Sequence, residues 1–351
     1  MERWNGSPKK IAINNFVDRK IKWTSELESY LKKGTKISFD NTKIIEAFYR
    51  PFIKHYAYFD RIKVHRAYQM DNIFQIGENL TNKLIWFKTG SDWNFFTLAL
   101  NNLIDILPQG GAQCLPFFSF TNEETRKDNI SDWALQLFQE HYQQIEPSSP
   151  VCYANSPEVR EEFKMEAPAP KPITNQSIFY YVYAVLHNPA YRKKYELNLK
   201  REFPRIPLYE NFWQWGKWGE QLMNLHINYE TAAPYPLQQK EIATKEHPKA
   251  KLRAIKEDGI IVLDDNTELH GIPSIAWEYK LGNRSALEWI LDQYKEKKPK
   301  DPTIAEKFNT YKFADYKEHV IDLLKRVCTV SVETTKLVGE MNLQDYKPSE
   351  D

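Results

Sequence analysis

Two rhythms of hydrophobic and polar positions divide the chain. Before residue 125 the apolar residues come in short runs rich in aromatic and β-branched side chains. Leu84-Ile85-Trp86-Phe87 and Phe95-Phe96-Thr97-Leu98, with Gly90-Ser91-Asp92 between them, predict two strands joined by a turn. Ile37 to Phe59 has the same character, punctuated by Pro51. Gln109-Gly110-Gly111 is a loop leading into Cys114-Leu115-Pro116-Phe117-Phe118, where the proline predicts an edge strand or a bend. One short helix is expected over Thr24 to Lys33, with Thr24 or Ser25 as cap, Glu26 and Glu28 in the first turn and Gly34 as the stop.

After residue 130 the period becomes helical. Asp132 to Gln144 carries Trp133, Leu135, Leu137 and Phe138 behind a Ser131/Asp132 start. Ile178 to His187 is nearly all apolar and predicts a buried helix. Asn188-Pro189 breaks or restarts it, and Ala190 to Lys200 continues as a basic helix. Pro204-Arg205-Ile206-Pro207 is rigid and extended, and Phe212 to Tyr229 is a Trp-rich helix with Leu222, Leu225 and His226. Ile260 to Leu263, the Asp264-Asp265-Asn266-Thr267 turn and Leu269 predict a hairpin. Ser285 to Tyr294 and Tyr316 to Met341 are helical. The stretch from Pro147-Ser148-Ser149-Pro150 to Pro170-Lys171-Pro172 reads as a linker. The fold expected is α+β: a mixed lobe with a β-sheet over 1–145, a Pro-rich linker over 146–174, and a mainly helical lobe with a small β-hairpin over 175–351.

Charge sharpens this picture. The net charge of the 351 residues is +1, but residues 1–70 carry 15 Lys+Arg against 7 Asp+Glu, a net +8, and residues 189–256 carry 13 against 7, a net +6. The intervening 121–170 segment nets −6, from 4 against 10. Such segregation fits either two cationic faces or neighbouring blocks that pair in the fold. No run approaches the ~20 apolar residues of a bilayer span, so no membrane partner is expected. Cys114, Cys152 and Cys328 are odd in number and far apart, the pattern of free thiols in a reducing cytoplasm.

Most catalytic chemistry is excluded by the residues present. No Gly-x-Gly occurs to cradle a nucleotide, and no Gly-Lys-Ser/Thr of a Walker loop. Asn188-Pro189-Ala190-Tyr191 lacks the second proline of an amino-methyltransferase turn and reads as a helix break. The eight histidines show no metal-ligand spacing, and His187, His226 and His319 sit on predicted helices as core or interface residues. Asp264, Glu278 and Lys280 imitate a Mg²⁺ nuclease centre, two carboxylates for the metal and a lysine for the attacking water. That rival stays open at this point, as does a scaffold that binds only protein.

The positive signal is distributed. Arg50, Lys54, His55, Arg61, Lys63, His65 and Arg66 interleave with Tyr49, Phe52, Tyr56, Tyr58, Phe59 and Tyr68. Cations hold phosphates, and arginine can bond guanine bidentately. Arg192, Lys193 and Lys194, with Lys200, Arg201 and Arg205, form a second basic cluster. The bland alternative places the aromatics in the core and the cations in solvent, with Arg50 pinned by a carboxylate.

Tyr49-Arg50-Pro51-Phe52 with Tyr58-Phe59-Asp60 resembles the start of the C-terminal specificity domain of type ISP restriction-modification enzymes. Ala112-Gln113-Cys114-Leu115-Pro116, the Ile178 to His187 helix, Tyr191-Arg192-Lys193-Lys194-Tyr195, Phe203-Pro204-Arg205-Ile206-Pro207-Leu208, Leu225-His226, Gly271-Ile272-Pro273 and Ser285-Ala286-Leu287-Glu288-Trp289 follow in the family's order. Lys251-Leu252-Arg253 departs from the pattern. The resemblance spans about Lys20 to Met341. It implies a duplex-DNA target-recognition module without catalytic residues or cofactor of its own. It would position DNA for adenine-N6 methylation and restriction by partner domains, with S-adenosylmethionine in the methyltransferase domain. Arg50, Lys54, His55, Arg61, Lys63, Arg66, Arg192, Lys193 and Lys194 are the expected DNA contacts, and the two basic faces would line a groove for the duplex.

Overall fold

In the computed structural model the residues described are 24–64, 69–74, 82–90, 94–104, 112–120, 125–145, 171–297 and 311–342. Helix α1 (Ser25–Lys32) is capped by Thr24, whose side chain accepts from Leu27 N at 3.2 Å. Strands β1 (Ile44–Arg50) and β2 (Ile53–Tyr58) form an antiparallel hairpin, Ile44 opposite Tyr58 and Arg50 opposite Ile53. A short helix, α2 (Met70–Ile73), precedes β3 (Leu84–Lys88), β4 (Phe96–Leu100) and β5 (Leu103–Ile104). Strand β5 pairs parallel with β1, and β6 (Gln113–Pro116) lies at the edge of a β4-β3-β6 sheet. Pro116 sits at the end of that edge strand, where a missing N–H does least harm. The short ribbon of β7 (Phe118–Phe120) and β8 (Arg126–Asp128) leads to α3 (Asp132–Ile145).

The β4-β3-β6 sheet is a partition. Alternation along β3 sends Leu84 and Trp86 into one core and Ile85 and Phe87 into another, all at most 1% exposed. A strand buried on both faces reads as one unbroken apolar run, which is why Leu84 to Phe87 carries no polar residue. The first core joins the β1–β2 hairpin to the C-terminal sheet and helices. The second joins the other sheet face to α3, α4 (Asn175–His187) and α7 (Phe212–Ile227). Both cores therefore draw side chains from the 1–145 and the 175–351 regions.

Helix α4 starts in a capping box between Thr174 and Ser177. Asn188 stops it and caps α5 (Pro189–Lys194), accepting from Tyr191 N at 2.7 Å. The basic helix expected over 190–200 is instead two short pieces, α5 and α6 (Glu196–Leu199), because each half buries its own anchor, Tyr191 or Leu199. Helix α7 lies unusually close to α4. A Cβ on Gly219 would fall 1.8 Å from the Tyr180 carbonyl oxygen, so only glycine allows the approach.

The expected small hairpin is the centre of a four-stranded sheet, β10-β11-β12-β9, formed by β9 (Gln238–Glu241), β10 (Ala250–Ile255), β11 (Ile260–Asp264) and β12 (Thr267–His270). The two-stranded ribbon of β13 (Lys280–Leu281) and β14 (Arg284–Ser285) runs into α8 (Ala286–Gln293), capped by Ser285. The 26-residue α9 (Lys317–Asn342) crosses both cores, contributing Val320 to Val332 to the first and Met341 to the second. The architecture is α+β.

Candidate nucleic-acid interface

The β1–β2 turn shows how the sequence splits its aromatic cluster. Pro51 and Phe52 are the turn residues, and Phe52 has φ +61. Proline followed by a positive φ is the type II pattern, which normally wants glycine second. The Phe52 ring is fully buried against Tyr229 at 5.2 Å and Tyr279 at 6.3 Å, and this burial holds the strained backbone in place. Phe48 and Phe59 are also core. Tyr56 points the other way, 81% exposed.

The cations divide in the same manner. Lys54 bridges Glu46 at 3.0 Å and Glu230 at 2.5 Å. Burial opposes its charge, but the bonds to Glu230 and Glu46 outweigh it and hold the pKa above the ordinary lysine value. The Arg50 guanidinium lies 4.2 Å over the Tyr49 ring and donates to the Tyr49 carbonyl at 2.9 Å. The His55 ring lies tilted against Tyr49, 4.7 Å away. Partial burial, and then Arg50, push its pKa down. Lys63 donates to Tyr58 Oη at 3.0 Å and to the Ser38 carbonyl. Arg61 is exposed, beside a buried Asp60 that holds Lys43 at 2.6 Å. Arg66 lies outside the described residues.

At α5 three consecutive basic residues diverge because each helical position turns by ~100°. Arg192 is drawn inward. Its Nε donates to the Leu186 carbonyl at 2.7 Å, its guanidinium lies 5.4 Å from the Phe95 ring, and burial lowers its pKa to about 10. Lys193 and Lys194 face solvent, Lys194 5.5 Å from the Tyr195 ring. Lys200 and Arg205 pair along the chain with Glu196 and Glu202.

Beneath Arg192 lies a buried relay. Ala99 N–H donates to Tyr183 Oη at 2.7 Å, Tyr183 Oη is hydrogen-bonded to His226 Nδ1 at 2.5 Å, and His226 Nε2 is hydrogen-bonded to Thr334 Oγ1 at 2.8 Å. One chain of hydrogen bonds thus ties β4, α4, α7 and α9. Burial, then the Arg192 charge, push the His226 pKa down to about 3 and that of His187 well below its usual value. Both imidazoles are structural and neutral. Burial likewise pushes the Cys114 and Cys328 thiols up to about 12.

The nuclease residues do not assemble. Asp264 is 2% exposed, accepts from Asn266 N and Thr267 N, both at 2.8 Å, and pairs with Lys317 at 3.0 Å. Glu278 and Lys280 face solvent on either side of the buried Tyr279. No group of three or more His, Cys, Asp or Glu is placed to hold a metal ion among the described residues. No helix among them is long and apolar enough to cross a membrane.

Two surface features escaped the sequence pattern. Strand β9, with Gln238, Gln239 and Lys240, is exposed along its whole length at the sheet edge. Arg253 on β10 is also exposed, next to Leu252, which is buried with φ +41 at a break in strand register. Fully polar β9 has no alternation to betray it, but Lys251-Leu252-Arg253 did carry a signal, as the place where the chain departs from the family pattern.

The family model of the type ISP C-terminal specificity domain matches residues 6–323. The chain belongs to this family. Three solved structures share the specificity domain's fold over nearly all its length. The cryoEM structure of a DrdV–DNA complex is 40% identical, with a TM-score of 0.82 over 100% of this chain. A nuclease-deletion mutant of the type ISP enzyme LlaGI, in complex with a DNA substrate mimic, is 28% identical with a TM-score of 0.69 over 93%. The ATP-dependent type ISP enzyme LlaBIII bound to DNA is 23% identical with a TM-score of 0.75 over 99%, a likeness of fold. The chain spans 33%, 27% and 21% of those three proteins respectively. Among curated proteins, none matches.

Proposed function

We propose that this specificity domain recognises a target sequence in duplex DNA for a type ISP restriction-modification enzyme, and positions it for adenine-N6 methylation and restriction carried out by other domains. The observation that carries this reading is the 40% identity across the whole chain to a protein solved with DNA. In the proposed mechanism exposed cations, Arg61, Lys193 and Lys194 foremost, hold backbone phosphates and set the register. Polar side chains on exposed edges read bases in the major groove. Lys54 and Arg192 shape the surface from within instead of touching DNA, because their charges are engaged by Glu46 and Glu230 and by the Leu186 carbonyl. Arg50 and His55 both lie against Tyr49 and present an arginine–tyrosine–histidine cluster at the hairpin tip. S-adenosylmethionine belongs, on this reading, to the partner methyltransferase domain.

The experiment is a salt titration of binding to labelled duplex. Phosphate contacts give a linear fall of log K with log salt, about 0.9 per neutralised phosphate. Absence of association even near ~50 mM salt, where such contacts are strongest, favours a scaffold that binds only protein.

A further inference from the structure

A cleft of about 290 Å³ opens where β3, the β6–β7 junction, β8 and the first turn of α4 meet, away from the clusters singled out by charge. Lys83, Asn101, Phe117, Phe118, Arg126 and Gln176 line it, and no carboxylate is among its lining residues. The nearest described acid in contact with them, Asp128, reaches Arg126 at 3.5 Å and accepts from Asn175 at 3.0 Å. The Arg126 guanidinium lies 4.0 Å from the Phe118 ring and 6.0 Å from the Phe117 ring, a cation–π contact that draws it over the cleft's aromatic wall.

Behind the lining residues, the 94% buried Tyr180 accepts at Oη from both Lys83 Nζ and Gln176 Nε2 at 2.7 Å, which anchors those two side chains. The Asn101 amide lines the cleft, and Lys83 retains further N–H groups. A site with two cations, an amide and aromatic faces suits an anion attached to a flat polar ring. Its volume excludes a duplex and admits one nucleotide.

We propose that this cleft binds a nucleoside phosphate, its phosphate on Lys83 and Arg126 and its base edge on the Asn101 amide. The source we favour is one nucleotide of the bound DNA strand, which rests on the DNA-recognition reading above. The alternative source of the same chemistry is a free mononucleotide.

The test pairs two titrations of the full chain with wild type, Arg126→Gln, and Lys83→Gln/Arg126→Gln, each shown folded by circular dichroism. The exposed Arg126 keeps the test valid if the double variant does not fold. Titration with dAMP, followed by isothermal calorimetry with inorganic phosphate as control, is expected to show millimolar binding that the variants lose. Titration with labelled duplex over salt is expected to show the slope reduced by about 0.9 in the double variant, where the one phosphate loses both cations, and by less in the single. Loss of dAMP binding with an unchanged duplex slope assigns the cleft to free nucleotide and overturns the strand source. Should wild type bind no duplex at all, the recognition reading fails while the dAMP arm still reads the cleft. No dAMP binding, with duplex slopes equal in all three proteins, overturns the proposal.

Discussion

The hairpin tip and the helical core are made from the same residue types and put them to opposite use. At the tip, Tyr49, Arg50, His55 and Tyr56 lie at the surface, in strands where the side chains alternate by two. In the core, Tyr183, His187, Arg192, His226 and Tyr279 are gathered where α4, α5 and α7 converge on the β13 region. His226 stacks flat on Tyr279 at 5.3 Å, as His55 leans on Tyr49 at 4.7 Å. An aromatic–cation cluster in a sequence is therefore not itself a binding surface. Burial and the partner of each charge decide.

The largest effect that separates the two regions is expected in the core. Gly219→Ala drives a methyl into the Tyr180 carbonyl and must part α4 from α7. Urea unfolding is expected to show a loss of more than about 3 kcal/mol, at the upper end for overpacked cores. An unchanged midpoint would mean the helices are not so closely joined.

Acid sharpens the contrast next. An unfolded histidine takes up its proton near pH ~6.5, whereas His226 does so only near 3 and His187 is also strongly depressed. Between these values the unfolded state binds more protons, so stability is full above about pH 6.5 and falls as pH falls. Each buried imidazole contributes about 1.4 kcal/mol per pH unit. The expected result is a steep drop from pH ~6.5 to ~5, before most carboxylates titrate, and a shallower one in His226→Gln. Equal slopes in the two proteins would place His226 in contact with water.

The DNA readouts discriminate among the cations. Lys193→Gln/Lys194→Gln is expected to reduce the salt slope of duplex binding by up to about 1.8, while Lys54→Gln leaves it unchanged. The reverse outcome would mean that Glu46 and Glu230 release Lys54 to the phosphates. The smallest stability effect is expected at Tyr56: Tyr56→Ser should move the unfolding free energy by less than about 0.5 kcal/mol while weakening duplex binding. A large loss of stability there would make the exposed ring a packing element.

Much of the local structure was legible. Thr24, Ser285 and the Asn188-Pro189 restart mark helix ends by capping chemistry that needs no tertiary context. Leu84 to Phe87 announced a strand, and the fold showed it buried on both faces. What covers those faces was not legible, because the partners come from scattered elements, the β1–β2 hairpin, α8 and α9 on one face and α3, α4 and α7 on the other, and periodicity carries no long-range pairing. In the candidate interface the division of Tyr56 from Phe52 was not legible, because alternation by two puts both on one side and only the positive φ at Phe52, seen in the fold, turns that ring into the core. The recruitment of Lys54 by Glu230, and of Arg192 by the Leu186 carbonyl, required the fold. The Lys83–Arg126 cleft was invisible for the same reason, since six separate segments build it.

The most direct measurement is selection of binding sites from a pool of duplexes with a random central stretch, followed by sequencing of the bound fraction. A recognition domain enriches one short motif, and that motif, placed in a defined duplex, binds at least tenfold more tightly than a scrambled version at equal salt. Retention of every sequence alike, or of none, would contradict the claim that this chain reads DNA.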